Sequence, residues 1–273
     1  MAPKNCFWPM KQTRLLSIAL GLVLACCSPV PTSAQDLLQY MDLKSDDFTK
    51  SDMTRADIEA AIAAAGAGVV DLFGKRLNGL DLSGLDLRKT TLKSAYINGA
   101  NFTGANLDGV ALDRAWALKS NFTNATFKGA SLIETQMMDA KFDGADFSGA
   151  RLVPNMSRAS FVKAHFDGAN LSRHGRMQAH RAVFTGAKLD GASLKKANLA
   201  RSVFEFASLR DVDFAGANLS GAALAGADLT GANIAGANFN DADVSSAKLL
   251  SLRGRDSAID FEKARNLAQA FRD

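Results

Sequence analysis

Leucine or phenylalanine returns at every fifth position along most of this 273-residue chain. The series runs through Leu77, Leu82, Leu87, Leu92, Phe102, Leu107, Leu112, Phe122, Phe127, Leu132, Phe142, Phe147 and Leu152, with Ile97, Ala117 and Met137 in the same phase. It resumes at Phe161, Phe166 and Leu171, and again from Phe184 through Leu189, Leu194, Leu199, Phe204, Leu209, Phe214, Leu219, Leu224, Leu229, Ile234, Phe239 and Val244 to Leu249. Two positions earlier there is usually Ala, as at Ala100, Ala145, Ala187, Ala217 and Ala237, often followed by Asp or Asn, and most units end in Gly. A period of five fits neither the 3.6 of an α-helix nor the 2 of a flat strand. It requires a chain that turns a corner every five residues.

The stretches GANFTGANL, GADFSGARL, GASLKKANL and GANLSGAALAGADLTGANIAGANF resemble the pentapeptide-repeat family, over about Leu77 to Leu249. The resemblance implies an all-β solenoid: a right-handed quadrilateral β-helix, four repeats per coil, so that residues 20 apart stack. About 35 sides then make nearly nine coils, a rod about 40 Å long at about 4.8 Å per coil. The expected organisation is a leader at 1–34, a linker and capping helix at 35–74, the β-helix at 75–250 with an irregular or widened corner within 153–183, and a C-terminal cap helix at 251–273. Short α-helical caps are expected at both ends, because a tube exposes apolar surface and strand edges there. Thr54 with Asp57 reads as a capping box that starts a helix to about Ala65, stopped by Gly66. Phe261, Ala264, Leu267, Ala268 and Phe271 fall at helical spacing, and this segment is either a cap or a homodimer surface.

The front end reads as an export signal. Lys4, Lys11 and Arg14 precede the apolar run Leu15 to Cys27, too short to span a bilayer, and small residues around Ala34 would let signal peptidase release a chain beginning at Gln35. Val23-Leu24-Ala25 before Cys26 also resembles a lipoprotein box, with Cys26 as the lipidation site; an uncleaved anchor is a third alternative. Met10 would itself make a compact signal start. The expected location is periplasmic or secreted, or lipid-anchored in the cell envelope, with no other membrane contact.

Composition then removes whole classes of function. All three cysteines lie at Cys6, Cys26 and Cys27, so the repeat body holds no thiol nucleophile, disulfide or cysteine zinc site. It also lacks a phosphate-loop motif or an acid pair distinct from the repeat aspartates, and its glycines belong to corners rather than to nucleotide binding. The reading is a non-enzyme with no cofactor and no metal; His174 and His180 are six apart, which matches no usual zinc spacing. The formal charge of +4 falls to about +1 without the leader, against general nucleic-acid binding. The resemblance also implies DNA-mimicking, gyrase-interacting relatives, but mimicry needs an acidic rod, and residues 75–250 carry 21 Lys and Arg against 16 Asp and Glu.

Two surfaces remain. The 20-residue stacking that the resemblance implies places Arg76, Tyr96, Trp116 and Gln136 in one outward column, with Leu118 and Met138 beside it. This is either a docking strip for a protein or glycan, a ladder in which Tyr96 and Trp116 shield each other, or a slip that turns Trp116 inward. The irregular stretch from Arg151 to Val183 gathers Arg158, Arg173, His174, Arg176, His180 and Arg181 with one acid, Asp167. It is either an anion-binding loop or a solvated basic insertion. The preferred function is an exported interaction or scaffold protein of the bacterial cell envelope, its partner an unknown protein or envelope component. The alternative is a binding protein for an anionic small molecule or glycan.

Overall fold

The computed structural model describes residues 41–172 and 181–273. Parallel pairing links residues one coil apart: Arg76 with Tyr96, Asp81 with Asn101, Asp86 with Asn106, and Thr91 with Ala111. Every fifth residue therefore starts a new side and every twentieth closes a coil, which gives four sides, named here A to D from those four pairs. Most sides contribute a single bridge to the ladder because a corner interrupts them on either hand. Among the described residues, longer strands form only at β1 (Val70–Asp71) with β2 (Thr90–Thr91), β3 (Ser131–Gln136) with β4 (Arg151–Asn155), and β5 (Lys248–Leu249) with β6 (Phe271–Arg272).

The residue at the repeat phase and the one two before it point inward: Leu82, Phe102, Phe122 and Phe142 on side B, with Ala100, Ala105, Ala125 and Ala145 among the small ones, are all buried. Phenylalanines one coil apart stack as the strands do. Ring centroids are 4.8, 4.9 and 4.8 Å apart along Phe102, Phe122, Phe142 and Phe161, and 4.6 and 4.7 Å along Phe127, Phe147 and Phe166. The coil that holds Phe122 and Phe127 has only Ala117 on side A, and the next two have Met137 and Met156 there. Beyond the irregular region Phe184 and Phe204 stack on side A, 4.8 Å apart, while side B reverts to Leu189 and Leu209.

The frequent Asp or Asn before the inward Leu or Phe has a backbone reason. Its carboxylate or amide oxygen accepts the main-chain N–H two residues on, as in Asn101 to Thr103, Asp146 to Ser148, Asn218 to Ser220 and Asp243 to Ser245. Where Ser takes that position, an Asp of the preceding coil accepts both its hydroxyl and the same N–H. Asp113 does so for Ser131 and Ile133, and Asp143 for Ser160 and Val162. A donor that would otherwise be left without a partner is satisfied either way.

The irregular region consists of two departures. Side A between Leu152 and Met156 has four residues, so Gln136 pairs with Asn155 and Lys141 with Ser160, 19 apart. Asn155 then pairs with Val183 and Ser160 with Lys188, 28 apart, after which the interval returns to 20. The ladder continues across both, since Phe161 N–H still donates to Lys188 O at 2.6 Å.

At the N-terminal end α1 (Asp46–Thr49) precedes α2 (Arg55–Ala65). The expected capping box is present: Thr54 Oγ1 accepts from Asp57 N–H and the Asp57 carboxylate accepts from Thr54 N–H. Ile58 is fully buried, and Met53, Ala61, Ile62 and Ala65 pack against the core. The expected α-helix at 251–273 is not formed. The segment adds a wider coil, with Arg253, Ile259, Arg265 and Phe271 bridging Asn233, Asn238, Asp243 and Lys248, and with 3-10 turns at Arg255–Ser257, Phe261–Lys263 and Leu267–Gln269. The spacing of Phe261, Ala264 and Leu267 that resembles a helix reflects six-residue sides, each with Asp260 or Asn266 in the left-handed region before its apolar residue. The bridges to the previous coil satisfy backbone groups that a helix would have left on the strand edge. Phe261 meets Phe239 edge-on at 5.3 Å, so this coil covers the end of the core without a helix.

Phe142→Ala, which removes a ring stacked on both sides, is expected to cost about 3–5 kcal/mol. Gly99→Ala, at an open corner with φ +63°, should cost only about 1 kcal/mol. Gly254→Ala should cost more than Gly99→Ala, because the added Cβ would lie 2.7 Å from Ala235 Cα and 2.8 Å from its N. Urea unfolding of the three variants tests this order.

Candidate functional site

Side A differs from the other three. Its outward column reads Arg76, Tyr96, Trp116, Gln136, Asn155, Val183, Val203 and Ala223, whereas side D runs Asn170, Asn198, Asn218, Asn238 and side B Asp81, Asn101, Asn121, Lys141. The stacking of Arg76, Tyr96, Trp116 and Gln136 is thus as the spacing requires, and Trp116 stands outside the tube with Ala117 inside.

Tyr96 and Trp116 cannot supply the acceptor that Asp or Asn gives elsewhere in the repeat. Asn78 and Asn98, one coil back, supply it instead: Asn78 Oδ1 accepts Asn98 N–H at 2.9 Å, and Asn98 Oδ1 accepts Leu118 N–H at 3.0 Å. This asparagine pair lets aromatic side chains stand on the surface without orphaning the backbone.

The aromatic column is covered by the chain's own N-terminal segment. Phe48, in α1, sits edge-on to both Tyr96 at 5.5 Å and Trp116 at 5.2 Å. Asn78 Nδ2 donates to Asp47 O at 2.9 Å and Lys50 O at 2.7 Å. Arg76 donates to Asp52 through Nε at 2.9 Å and Nη2 at 2.6 Å, and its Nη1 lies 3.6 Å from Asp47. A main-chain bond joins Asp52 N–H to Arg76 O at 2.7 Å, and the Asp52 carboxylate Oδ2 accepts Arg76 N–H at 3.0 Å. Residues 46–52 form a strap whose one ring contact with the column is Phe48.

Leu118 is half-buried beside this column. Met138, expected to add outward apolar surface, is only 1% exposed. It lies beside the register break between Ile133 and Gln136, where Val153 before the break and Asn155 after it are also turned out of water.

Of the basic group, Arg158 lies at the corner that ends side A and is bound bidentately by Asp139, with both N···O distances 2.7 Å. That carboxylate raises the Arg158 pKa and occupies the groups that an anion would use. Arg181 is exposed. Arg173, His174, Arg176 and His180 lie outside the described residues, as does Cys26, so the basic group is not assembled within them.

Sequence reasoning missed Phe48, Asp52 and the two asparagines, and also Phe206. Phe206 occupies a corner position with φ +58°, where the other non-glycine residues are polar, and is 71% exposed with its ring over Gly226. The available signal was a Phe at the position that otherwise holds Gly or a polar residue.

Hydrogen bonds from the Arg76 side chain, then from its main chain, hold the Asp52 carboxyl below its usual range. A depressed carboxylate stabilises the folded state above its unfolded pKa of about 3.9, and that contribution is lost as pH falls through the lower folded value. The strap is therefore expected to stay seated at pH 4 and to loosen below that. In Arg76→Ala the Asp52 carboxyl should titrate in the ordinary range, as read by its carboxyl carbon resonance.

The profile of the pentapeptide repeats family matches the chain in eight copies, over residues 76–115, 120–153, 180–214 and 213–249. No match was found among curated protein sequences. Among solved structures the chain is similar to HetL, a pentapeptide repeat protein involved in heterocyst differentiation regulation from the cyanobacterium Nostoc sp. strain PCC 7120. The two are 25% identical over 76% of this chain and 94% of that one, with a TM-score of 0.31. Trypsin-treated QnrB1, a plasmid-mediated fluoroquinolone resistance protein, is 16% identical over 76% and 91%, with a TM-score of 0.45. A pentapeptide repeat protein of the Arabidopsis thaliana thylakoid lumen is 31% identical over 40% and 65%, with a TM-score of 0.26. With the family profile matched over more than half its length and the five-residue sides formed throughout the match, the chain belongs to the pentapeptide repeat family.

Proposed function

We propose that this protein is an exported, non-enzymatic interaction scaffold of the bacterial cell envelope: a right-handed pentapeptide-repeat rod that presents one side, A, to a protein partner or envelope component. The observation that carries the reading is the asymmetry of the four sides. Tyr96 and Trp116, and beyond Gln136 and Asn155 also Val183, Val203 and Ala223, stand on side A, while polar residues, mostly Asn, Asp, Ser and Lys, predominate on the others. A rod held by backbone bonds and a stacked core is stiff, so such a column keeps fixed spacing for a partner to read. Arg158, committed to Asp139, weighs against the alternative of a binder for anionic small molecules or glycans.

The export half of the reading rests on the sequence of residues 1–34, and helix α2 at 55–65 belongs to the N-terminal cap. Fractionation of cells producing the full chain, with intact-mass analysis, tests it. The expected product is a soluble periplasmic protein beginning near Gln35; a lipid on Cys26 would place the same scaffold on a membrane. A full-length cytoplasmic protein overturns the envelope assignment.

A further inference from the structure

The strap occupies the place on the rod where a partner would find aromatic rings, a fixed cation and backbone acceptor needs already arranged. We propose that the Tyr96–Trp116 site is a docking site for a peptide segment of a partner protein, an aromatic side chain with acidic residues around it, and that the chain's own residues 46–52 hold the site in the partner's absence. The inference deepens the scaffold reading by naming the partner chemistry, and it rests on that reading for its biological setting.

The occupant seen on the site defines what fits it. Phe48 meets Tyr96 and Trp116 edge-on, the geometry aromatic rings favour. An acid directly before that ring, Asp47, and another four residues after it, Asp52, both reach Arg76. The Asn78 amide collects two carbonyls, from Asp47 and Lys50, and reads main chain rather than side chain. Such a site recognises an aromatic anchor, two acids and a turn of backbone, which are portable features of a short peptide. Aromatic and arginine side chains are also those that dominate binding energy at protein interfaces.

The strap is held by surface polar contacts and one half-buried ring rather than by a buried core of its own. No residue of α1 is buried, Phe48 is half-buried, and the Arg76–Asp52 pair is solvent-accessible, so salt screens it. Its advantage over a free peptide is tethering, which gives an effective concentration in the millimolar range. A partner segment with a better anchor, or one presented alongside a second contact on side A, can displace it.

The test uses the full chain and a fluorescein-labelled peptide with the sequence of residues 45–52, read by anisotropy. The double variant Phe48→Ala with Asp52→Ala vacates the site, and its melting curve shows whether the rod remains folded. The peptide is expected to bind this variant at least tenfold more tightly than the wild-type chain, more weakly as salt rises, and at least tenfold more weakly when Trp116→Ala is added. A peptide whose Phe is replaced by Ala should not bind.

No binding to the double variant at 1 mM peptide, or binding that survives Trp116→Ala, overturns the proposal. Should the double variant unfold, the wild-type chain decides: millimolar peptide must shift the Trp116 indole resonance, and an unmoved resonance overturns the proposal. Failure here leaves the export assignment to stand on fractionation, and a cytoplasmic protein that binds the peptide would fail only the latter.

Discussion

Each coil turns four repeat-phase side chains inward, and the rest of the structure is built around their stacking from coil to coil. Two phenylalanines on sides B and C are met in successive coils by Ala117, Met137 and Met156 on side A, and where phenylalanine moves to side A at Phe184 and Phe204, side B carries leucine. The aromatic stacks have the spacing of the strands because both repeat once per coil. A substitution inside the tube is therefore felt along the stack as well as across it, and removal of a ring leaves a void that flanking coils, pinned by backbone bonds, cannot close.

A second constraint acts on the outside. Most sides end in a corner whose backbone takes positive φ, and the N–H just before that corner needs an acceptor. The chain answers with an Asp or Asn two residues earlier, with an Asp of the preceding coil, or with an Asn of the preceding coil. The last serves behind Tyr96 and Trp116. Asn78 and Asn98 thus supply what Tyr96 and Trp116 cannot, and Asn78 uses its remaining amide protons to fasten the strap over them.

The period of five made the core legible, and the resemblance to the family supplied the four-sided coil. The column from Arg76 to Gln136 then needed only addition of 20. Outside the repeat the Thr54–Asp57 capping box was legible from its own local pattern, and much of the rest was not. The C-terminal segment resembles a helix in its apolar spacing, since six-residue sides with 3-10 turns put Phe261 and Leu267 at intervals that a helical pattern also contains. The two breaks in the series, before Phe161 and before Phe184, were read as one irregular region, whereas the pairing has a shortened side at 152–156 and a separate later insertion. Phe48 lay in a stretch of charged residues with no periodicity, and its partner is fixed by an antiparallel contact at Ser51 that no local pattern announces.

The strap changes what the aromatic column can be. An exposed run of Tyr and Trp on a stiff rod would be an aggregation liability as well as a binding surface. Covered by Phe48 it is neither, and the surface left open on side A is the shallower strip of Val183, Ala223 and Ala225, with Phe206 at its corner. Phe206 holds a left-handed backbone conformation that costs a non-glycine residue of order 1–3 kcal/mol. That cost is incurred for a ring laid over Gly226 and otherwise open to water, so the ring adds little to the core. Side A thus divides into a guarded half, whose occupant can be exchanged, and an open half that ends in a fixed aromatic. A partner engaging the open half first would be held within reach of the guarded one, where displacement of Phe48 becomes an intramolecular step.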